Sequence, residues 1–351
     1  MNRGRRALLA GLGALPLARF ARSADDAPGP SPGDAPAPVP ASTTTNAAAT
    51  RIVPFAPGDV VAGCTLLDDA QDDHRGHGRI LHWDASLRLR NTIWLDDTTH
   101  IVQGVRFGPD RTLWAFDAFA YRIVRIGADG RRRPNFRTAP ARSFAHVTFA
   151  PDGRFFLGEN FTGAASRVPL RTKLPFMPGT QRYGDGHLFE FSARGKLLRE
   201  HATAVHGGMG GFQGLTASAL AADGRTLFYT SESGPKVFRY DLLERRQLPD
   251  FLAFDEKQGR FFFDLAFDAD GRLLIVDGQG IGAWSPGGQL LRNYPLGSFG
   301  WASMSTPRSG HVYVTNFFSG EIARLELASG EVTARAQAGI RKSLSGVAEF
   351  A

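Results

Sequence analysis

Five stretches of the chain repeat one pattern of apolar and polar positions. Each runs from a short alternating apolar segment into a tight polar turn, then through a β-rich run ending in a polar cluster, then into another strand. They read GVRFGPDRTLWAFDAFAYRIVRI, HVTFAPDGRFFLGENF, LTASALAADGRTLFYTSESGPKVFRY, DLAFDADGRLLIVDGQGIGAW and WASMSTPRSGHVYVTNFFSGEIARLE. Copies spaced by roughly 40 to 50 residues are stacked supersecondary units, each too small to bury its own apolar face.

A unit of four short antiparallel strands arranged radially is a blade of a β-propeller. The pattern therefore predicts an all-β chain: a six-bladed β-propeller of four-stranded antiparallel blades. The inner strands of five blades begin near Gly104, His146, Gly214, Asp264 and Trp301. A sixth inner strand reads Ser345-Gly346-Val347-Ala348-Glu349-Phe350, and its continuation lies at the other end of the folded region. There Phe55-Ala56-Pro57-Gly58-Asp59 leads into strands expected at 60–67, 79–84 and 89–95. Pairing the C-terminal strand with this N-terminal blade would close the ring and remove exposed sheet edges. The turns Asp152-Gly153, Asp223-Gly224 and Asp270-Gly271, with Asp110-Arg111 as a weaker version, read as hairpin turns and hence as scaffold.

Composition changes this picture little. With 351 residues, 42% apolar and 21% charged, the chain has ample material for a core. The net charge of +7 invites a polyanion partner, but Arg3, Arg5, Arg6, Arg19 and Arg22 all precede the first acidic residue. Without these five arginines the balance is +2, so no nucleic-acid partner is implied. Residues 1–24 read as an export signal: a basic start, an apolar run from Ala7 to Ala18 and then small residues. Arg5-Arg6 before Ala7-Leu8-Leu9 resembles a twin-arginine signal, with a Sec signal as the alternative. The expected location is periplasmic or secreted, with no permanent membrane span because the apolar run is too short. Residues 25–50, rich in Pro, Ala, Ser and Thr, read as a disordered linker, and 51–351 as the propeller. Cys64 is the single cysteine and reads as a buried strand residue. The expected state is a monomer.

Strand direction alternates within a blade, so inner-strand starts and second-to-third-strand loops share one face. On that face the sequence collects Gln103, His146, Gln213, Asp264 and Ser303, then Asp117, Glu159, Asn160, Glu232, Asp277 and Asn316. Converging oxygen ligands on a rigid ring suit a hard divalent cation; turn chemistry at strand ends is the competing explanation. The segment Asp68 to His77 adds Asp and His residues to a first-blade insertion, as either metal donors or a solvated acidic loop. A second insertion at 161–186 carries Arg167, Arg171, Lys173 and Arg182, a basic lid for a carboxylated substrate or a plain surface loop. His100 and His146 are the axial histidine candidates, His82 and His311 fall on strands as structural residues, and His201 and His206 flank a Gly-rich rim. No G-x-S-x-G, H-E-x-x-H or paired C-x-x-C occurs, so serine-hydrolase, zincin and zinc-ribbon readings have no support.

The segment VYVTNFFSGEIARLELASGEV at 312–332 resembles the YVTN-type propeller repeat, and the other blades resemble NHL repeats or the gluconolactonase/regucalcin-like family. That resemblance implies metal-assisted opening of a lactone on a small, carboxylated or sugar-derived substrate, with calcium or zinc as the ion. The family's Ser-Asn-Gly-Leu motif corresponds to Phe212-Gln213-Gly214-Leu215. Its Pro-Asp-Gly-Met motif corresponds to Phe262-Phe263-Asp264-Leu265, with the aspartate one position late. The family's N-terminal Glu-Gly-Pro is absent, and Asp68 or Asp69 would have to stand in for it. The resemblance and the converging face together give Gln213, Asp264, Glu159 and Asp68 as expected metal ligands and Asp264 and His146 as expected catalytic groups. Gln103, Asn160, Arg171 and Asn316 would contact substrate. Two other readings stay open: a non-enzymatic propeller binding a small molecule or protein, and a metal-dependent lyase of NHL type using His100, His146 and His206. Phe212, Phe262, Phe263 and Trp301 near inner-strand starts would line an aromatic pocket or pack between blades.

Overall fold

A computed structural model describes residues 51–70, 72–95, 97–98, 104–139, 141–160, 186–205, 214–231 and 234–351. Six four-stranded antiparallel sheets make a ring. Blade 1 combines β24 (Leu344–Glu349), as its inner strand, with β1 (Val60–Asp69), β2 (Asp72–Trp83) and β3 (Leu89–Trp94). Blade 2 holds β4 (Val105–Phe107), β5 (Leu113–Asp117), β6 (Arg122–Ile126) and β7 (Arg132–Phe136). Blade 3 holds β8 (Phe144–Phe149), β9 (Phe155–Glu159), β10 (Leu188–Phe191) and β11 (Leu197–His201). Blade 4 holds β12 (Leu215–Leu220), β13 (Thr226–Ser231), β14 (Lys236–Asp241) and β15 (Arg246–Ala253). Blade 5 holds β16 (Asp264–Phe267), β17 (Leu273–Val276), β18 (Gly280–Trp284) and β19 (Leu290–Pro295). Blade 6 holds β20 (Trp301–Met304), β21 (His311–Asn316), β22 (Glu321–Glu326) and β23 (Val332–Gln337).

Each second strand is a near-continuous apolar run because it is buried on both faces. In β21, Val312 and Val314 join one cluster with blade 5, whereas Tyr313 joins another with blade 1. In β5, Leu113 and Ala115 face blade 1 while Trp114 and Phe116 face blade 3. The period-two side-chain alternation thus deals residues out to two interfaces, and the six core clusters sit one to each blade–blade junction. A propeller core is divided among its junctions, so no blade can bury its surface alone.

The ring closes where the sequence places the seam. Val60 pairs with Glu349, Val61 with Ala348, Ala62 with Val347 and Cys64 with Leu344. Asp59 takes the place of a hairpin turn: its buried carboxylate accepts from the Ala56 N–H at 2.8 Å, His82 Nε2 at 2.7 Å and Arg90 Nη1 at 2.5 Å. In blades 3, 4 and 5 the first two strands are joined by five-residue loops, each with a left-handed glycine next to its last residue: Gly153 at φ 85°, Gly224 at 63° and Gly271 at 75°. Blade 2 has Arg111 there at φ 62°. Its guanidinium donates to the Ala351 carbonyl oxygen at 3.0 and 2.6 Å and stacks over Phe350 at 4.7 Å, which ties the seam to its neighbour.

One sequence expectation is corrected. The acidic segment from Asp68 to His77 is no inserted loop: β1 and β2 continue through it as a long hairpin, with Leu66 opposite His77 and Asp69 opposite Asp72. Gly76 is required in that ladder, because a Cβ there would lie 2.1 Å from the Leu66 carbonyl oxygen. Cys64 is fully buried, with Sγ 3.5 Å from Ser343 Oγ and 3.7 Å from Arg79 Nη2.

Candidate functional site

The strand topology gives the ring two mouths. The hairpin mouth carries the loops between first and second strands. The loop mouth carries the inner-strand starts and the loops between second and third strands, and the sequence places its candidates there. Gln103, Arg171 and Gln213, with His100, His206 and Glu232, lie outside the described residues.

Asp117, Asp277 and Asn316 end second strands or follow them directly, where the chain must turn and leaves backbone N–H groups without ladder partners. Each side chain answers that local need. Asp117 Oδ1 accepts from Phe119 and Ala120 at 3.0 and 2.9 Å, and Asp277 Oδ1 from Gln279 and Gly280 at 3.1 and 3.0 Å. Asn316 Oδ1 accepts from Ser319 at 3.0 Å while its Nδ2 donates to the Phe299 carbonyl at 3.3 Å. Burial raises the Asp277 pKa, against the lowering effect of its two N–H donors and of Arg260.

Glu159 is fully buried and ion-paired: Oε1 accepts from Arg142 Nη1 at 3.0 Å and Oε2 from the Gly186 N–H at 3.2 Å. The Arg142 guanidinium in turn lies 4.5 Å from the Phe189 ring centroid. Asn160 follows it, 1% exposed; its N–H donates to the Ser143 carbonyl at 2.6 Å, and its Oδ1 has no partner. Asp264, the first residue of β16, turns sideways to the next blade. Oδ2 accepts from Ser303 Oγ at 3.0 Å and the Met304 N–H at 2.8 Å, and Oδ1 from its neighbour Leu265 at 2.8 Å. Asp264 therefore fastens blade 5 to blade 6, as Glu159 fastens strand ends within blade 3. Asp68 sits far along the extended hairpin, half-exposed, 3.4 Å from His77 Nε2.

His146 lies within β8, 4% exposed, with Nε2 2.7 Å from Ser218 Oγ of blade 4 and Nδ1 unpartnered. Thr148 Oγ1 also reaches Ser218 Oγ at 2.8 Å. Burial, with Arg106 adding to it, pushes the His146 pKa down to about 3, so the ring is neutral at pH 7. The other buried histidines face carboxylates: His82 meets Asp59, His201 meets Glu190 at 2.9 Å, and His311 meets Glu349 at 3.2 Å. His82 and His311 lie on β2 and β21, on strands as the sequence places them. His201 is 1% exposed and part of the core rather than a rim residue.

The donor set expected for a divalent cation is thus dispersed. Among the described residues no three His, Cys, Asp or Glu side chains come together, and Asp264 and Glu159 are held by the protein's own donors. What the loop mouth does expose is aromatic. Phe299 and Phe318 are 41% and 38% exposed and stack with centroids 6.0 Å apart at 28°. Phe261 and Phe263 lie 6.5 and 6.4 Å from Phe299, and Phe317 5.4 Å from Phe318. These five rings form a shelf across blades 5 and 6. Only glycine permits it at two points: a Cβ on Gly278 would stand 2.4 Å from the Phe299 ring, and one on Gly300, at φ 122°, 2.7 Å from Phe318. Backbone bonds lock the shelf: Gly300 and Trp301 N–H both donate to the Gly278 carbonyl, and Phe317 N–H to that of Gly300. Sequence reasoning picked out Phe263 but missed Phe261, Phe299, Phe317 and Phe318, whose signal was the triplet at 261–263, the Phe299-Gly300 pair and the doublet at 317–318. Phe262 and Trp301 went the other way, 1% and 0% exposed in the interblade core.

No protein family matches the chain, and no curated protein matches it. Solved structures do. One from a nidogen/laminin complex superposes with a TM-score of 0.58 at 11% identity, covering 84% of this chain and 98% of that one. A catalytically inactive virginiamycin B lyase from Staphylococcus aureus, with quinupristin, superposes with a TM-score of 0.50 at 14% identity, covering 84% of this chain and 91% of that one. The likeness is one of fold. Both neighbours are β-propellers, and identities this low carry no site residue across.

Proposed function

We propose that this protein is a ligand-binding propeller whose site is the phenylalanine shelf at the loop mouth, and that its ligand is a small molecule with a flat aromatic or apolar part. The observation that supports this reading is the contrast between engaged polar side chains and exposed rings. Asp264, Glu159, Asp117, Asp277 and Asn316 hold the scaffold, whereas Phe299 and Phe318 remain exposed on a backbone that already fixes them. Exposed apolar rings held in place beforehand bind at low entropic cost, and a contiguous patch of them marks an interaction site. A metal-dependent lactonase needs converging donors that the described residues do not supply, so the binding reading stands ahead of it. The lyase reading is weaker for the same reason, since Ser218 holds His146.

The test uses 1-anilinonaphthalene-8-sulfonate as probe. Saturable binding, seen as probe enhancement, is expected for the unaltered chain. A Phe299→Ser/Phe318→Ser variant should lose at least tenfold in affinity while keeping its unfolding midpoint. Equal binding by the variant sinks the proposal. So does a chelator-sensitive midpoint in the unaltered protein that Asp264→Ala or Glu159→Gln removes, because that would return those acids to a metal.

A further inference from the structure

The opposite mouth carries chemistry that the shelf does not use. Where the inner strands of blades 6, 1 and 2 end side by side, Arg106, Phe107, Thr306, Arg308, Ala348 and Glu349 line a small, solvent-open cavity. Arg106 Nη1 donates to Thr306 Oγ1 at 2.9 Å, a bond from blade 2 to blade 6 that passes the inner strand of blade 1. Among the described residues neither Arg106 nor Arg308 has a carboxylate within ion-pair distance. The cavity's acid, Glu349, is paired with His311, whose Nε2 lies 3.3 Å from Oε1 and 3.2 Å from Oε2. Arg324 Nη2 stands 3.3 Å behind it at His311 Nδ1.

Two guanidinium groups facing one small cavity repel each other, and a lone carboxylate already shared with a histidine does not balance them. The field reaches inward as well, since Arg106 contributes to keeping His146 neutral. An oxyanion would relieve that repulsion and accept from planar donor forks and a hydroxyl at once, the arrangement arginine serves better than lysine. We propose that the hairpin mouth binds a small oxyanion, a carboxylate or a phosphate, between Arg106 and Arg308, with the Thr306 hydroxyl as a third donor. The site is separate from the aromatic shelf and stands or falls independently of it.

Titration of the full chain with inorganic phosphate, and separately with acetate, at constant ionic strength tests this. The unfolding midpoint should rise saturably with at least one of the two, which also identifies the preferred anion. The His311 imidazole resonances should shift along the same curve. Arg308→Gln, whose side chain makes no hydrogen bond or ion pair among the described residues, should weaken binding at least tenfold; Thr306→Val should weaken it two- to fivefold. Arg272→Gln, a change on the same side of the ring away from the tunnel, should leave affinity unchanged. A response that chloride at equal ionic strength reproduces overturns the proposal, as does undiminished saturation in Arg308→Gln or in an Arg106→Gln/Arg308→Gln variant with a cooperative unfolding transition.

Discussion

The two mouths of the tunnel are made by the same strands, yet their charged groups behave in opposite ways. At the loop mouth every described acid is engaged: Asp117 and Asp277 by their own turns, Glu159 by Arg142, Asp264 by Ser303 and the Met304 N–H. At the hairpin mouth Asp110, Asp152, Asp223 and Asp268 likewise close turns, but Arg106 and Arg308 face a cavity whose acid, Glu349, is paired with His311. The difference teaches that convergence of acids on a ring is no sign of a site. A short acidic side chain at a strand end finds unpaired N–H groups within its own turn. An arginine carries only donors on a long stem, so its partner must come from elsewhere in the fold, or from a ligand.

Four measurements would break or sharpen this contrast. The largest effect belongs to His146. Its folded pKa of about 3 lies below the ordinary histidine value of 6.5, so the unfolded chain binds more protons between those limits. Its contribution is therefore full above pH 6.5 and lost as pH falls towards 3, on the order of 5 kcal/mol in all. Denaturant unfolding across that window should show a steep decline in the unaltered chain and a shallower one in His146→Gln. The ionised Glu190, held below its usual range by Arg154 and His201 despite burial, adds a loss of the same sign in both proteins.

Next comes Glu159→Gln. It leaves Arg142, only 18% exposed, without its anion and should cost about 3 kcal/mol by the same denaturant measurement. Added calcium, zinc or chelator should move neither the unaltered chain nor the variant; a metal-dependent midpoint would erase the contrast between the mouths. Asp264→Ala is expected to cost about 2 kcal/mol, because the buried Met304 N–H loses its acceptor. A Ser303→Ala change on top of it should add little, since the shared bond is already gone. The smallest effect is at the shelf. Phe318→Ser alone should change stability by less than about 0.5 kcal/mol, as exposed positions do, while still weakening probe binding.

Much of the fold was legible because its causes are local. Asp-Gly turns, the alternation before them and the apolar second strands recur in chain order, and the half-repeat at Ser345–Phe350 could only be completed by the segment after Phe55. The β1–β2 hairpin was misread as an insertion because Asp68 to His77 is polar, and a long two-stranded ribbon reaching beyond its blade has no apolar face to announce it. Among candidate residues, the sequence correctly placed Asp264, Glu159, Asn316, Asp117 and Asp277 at strand ends on one side of the ring. It did not show whom they would bond. Turn capping and metal ligation call for the same side chains at the same positions.

What the sequence determined by itself is the number of strands, their order into six wedges and the seam that seals them, since period-two burial and turn residues act over a few positions. What only the tertiary structure decided is each polar group's partner. Asp264 meets Ser303 across 39 residues and Arg106 meets Thr306 across 200, distances in sequence that only a closed ring brings together. The same closure placed five phenylalanines from three loops on one shelf and left two arginines at the other mouth, because side-chain neighbours across blades are set by the geometry of the ring and not by any local pattern.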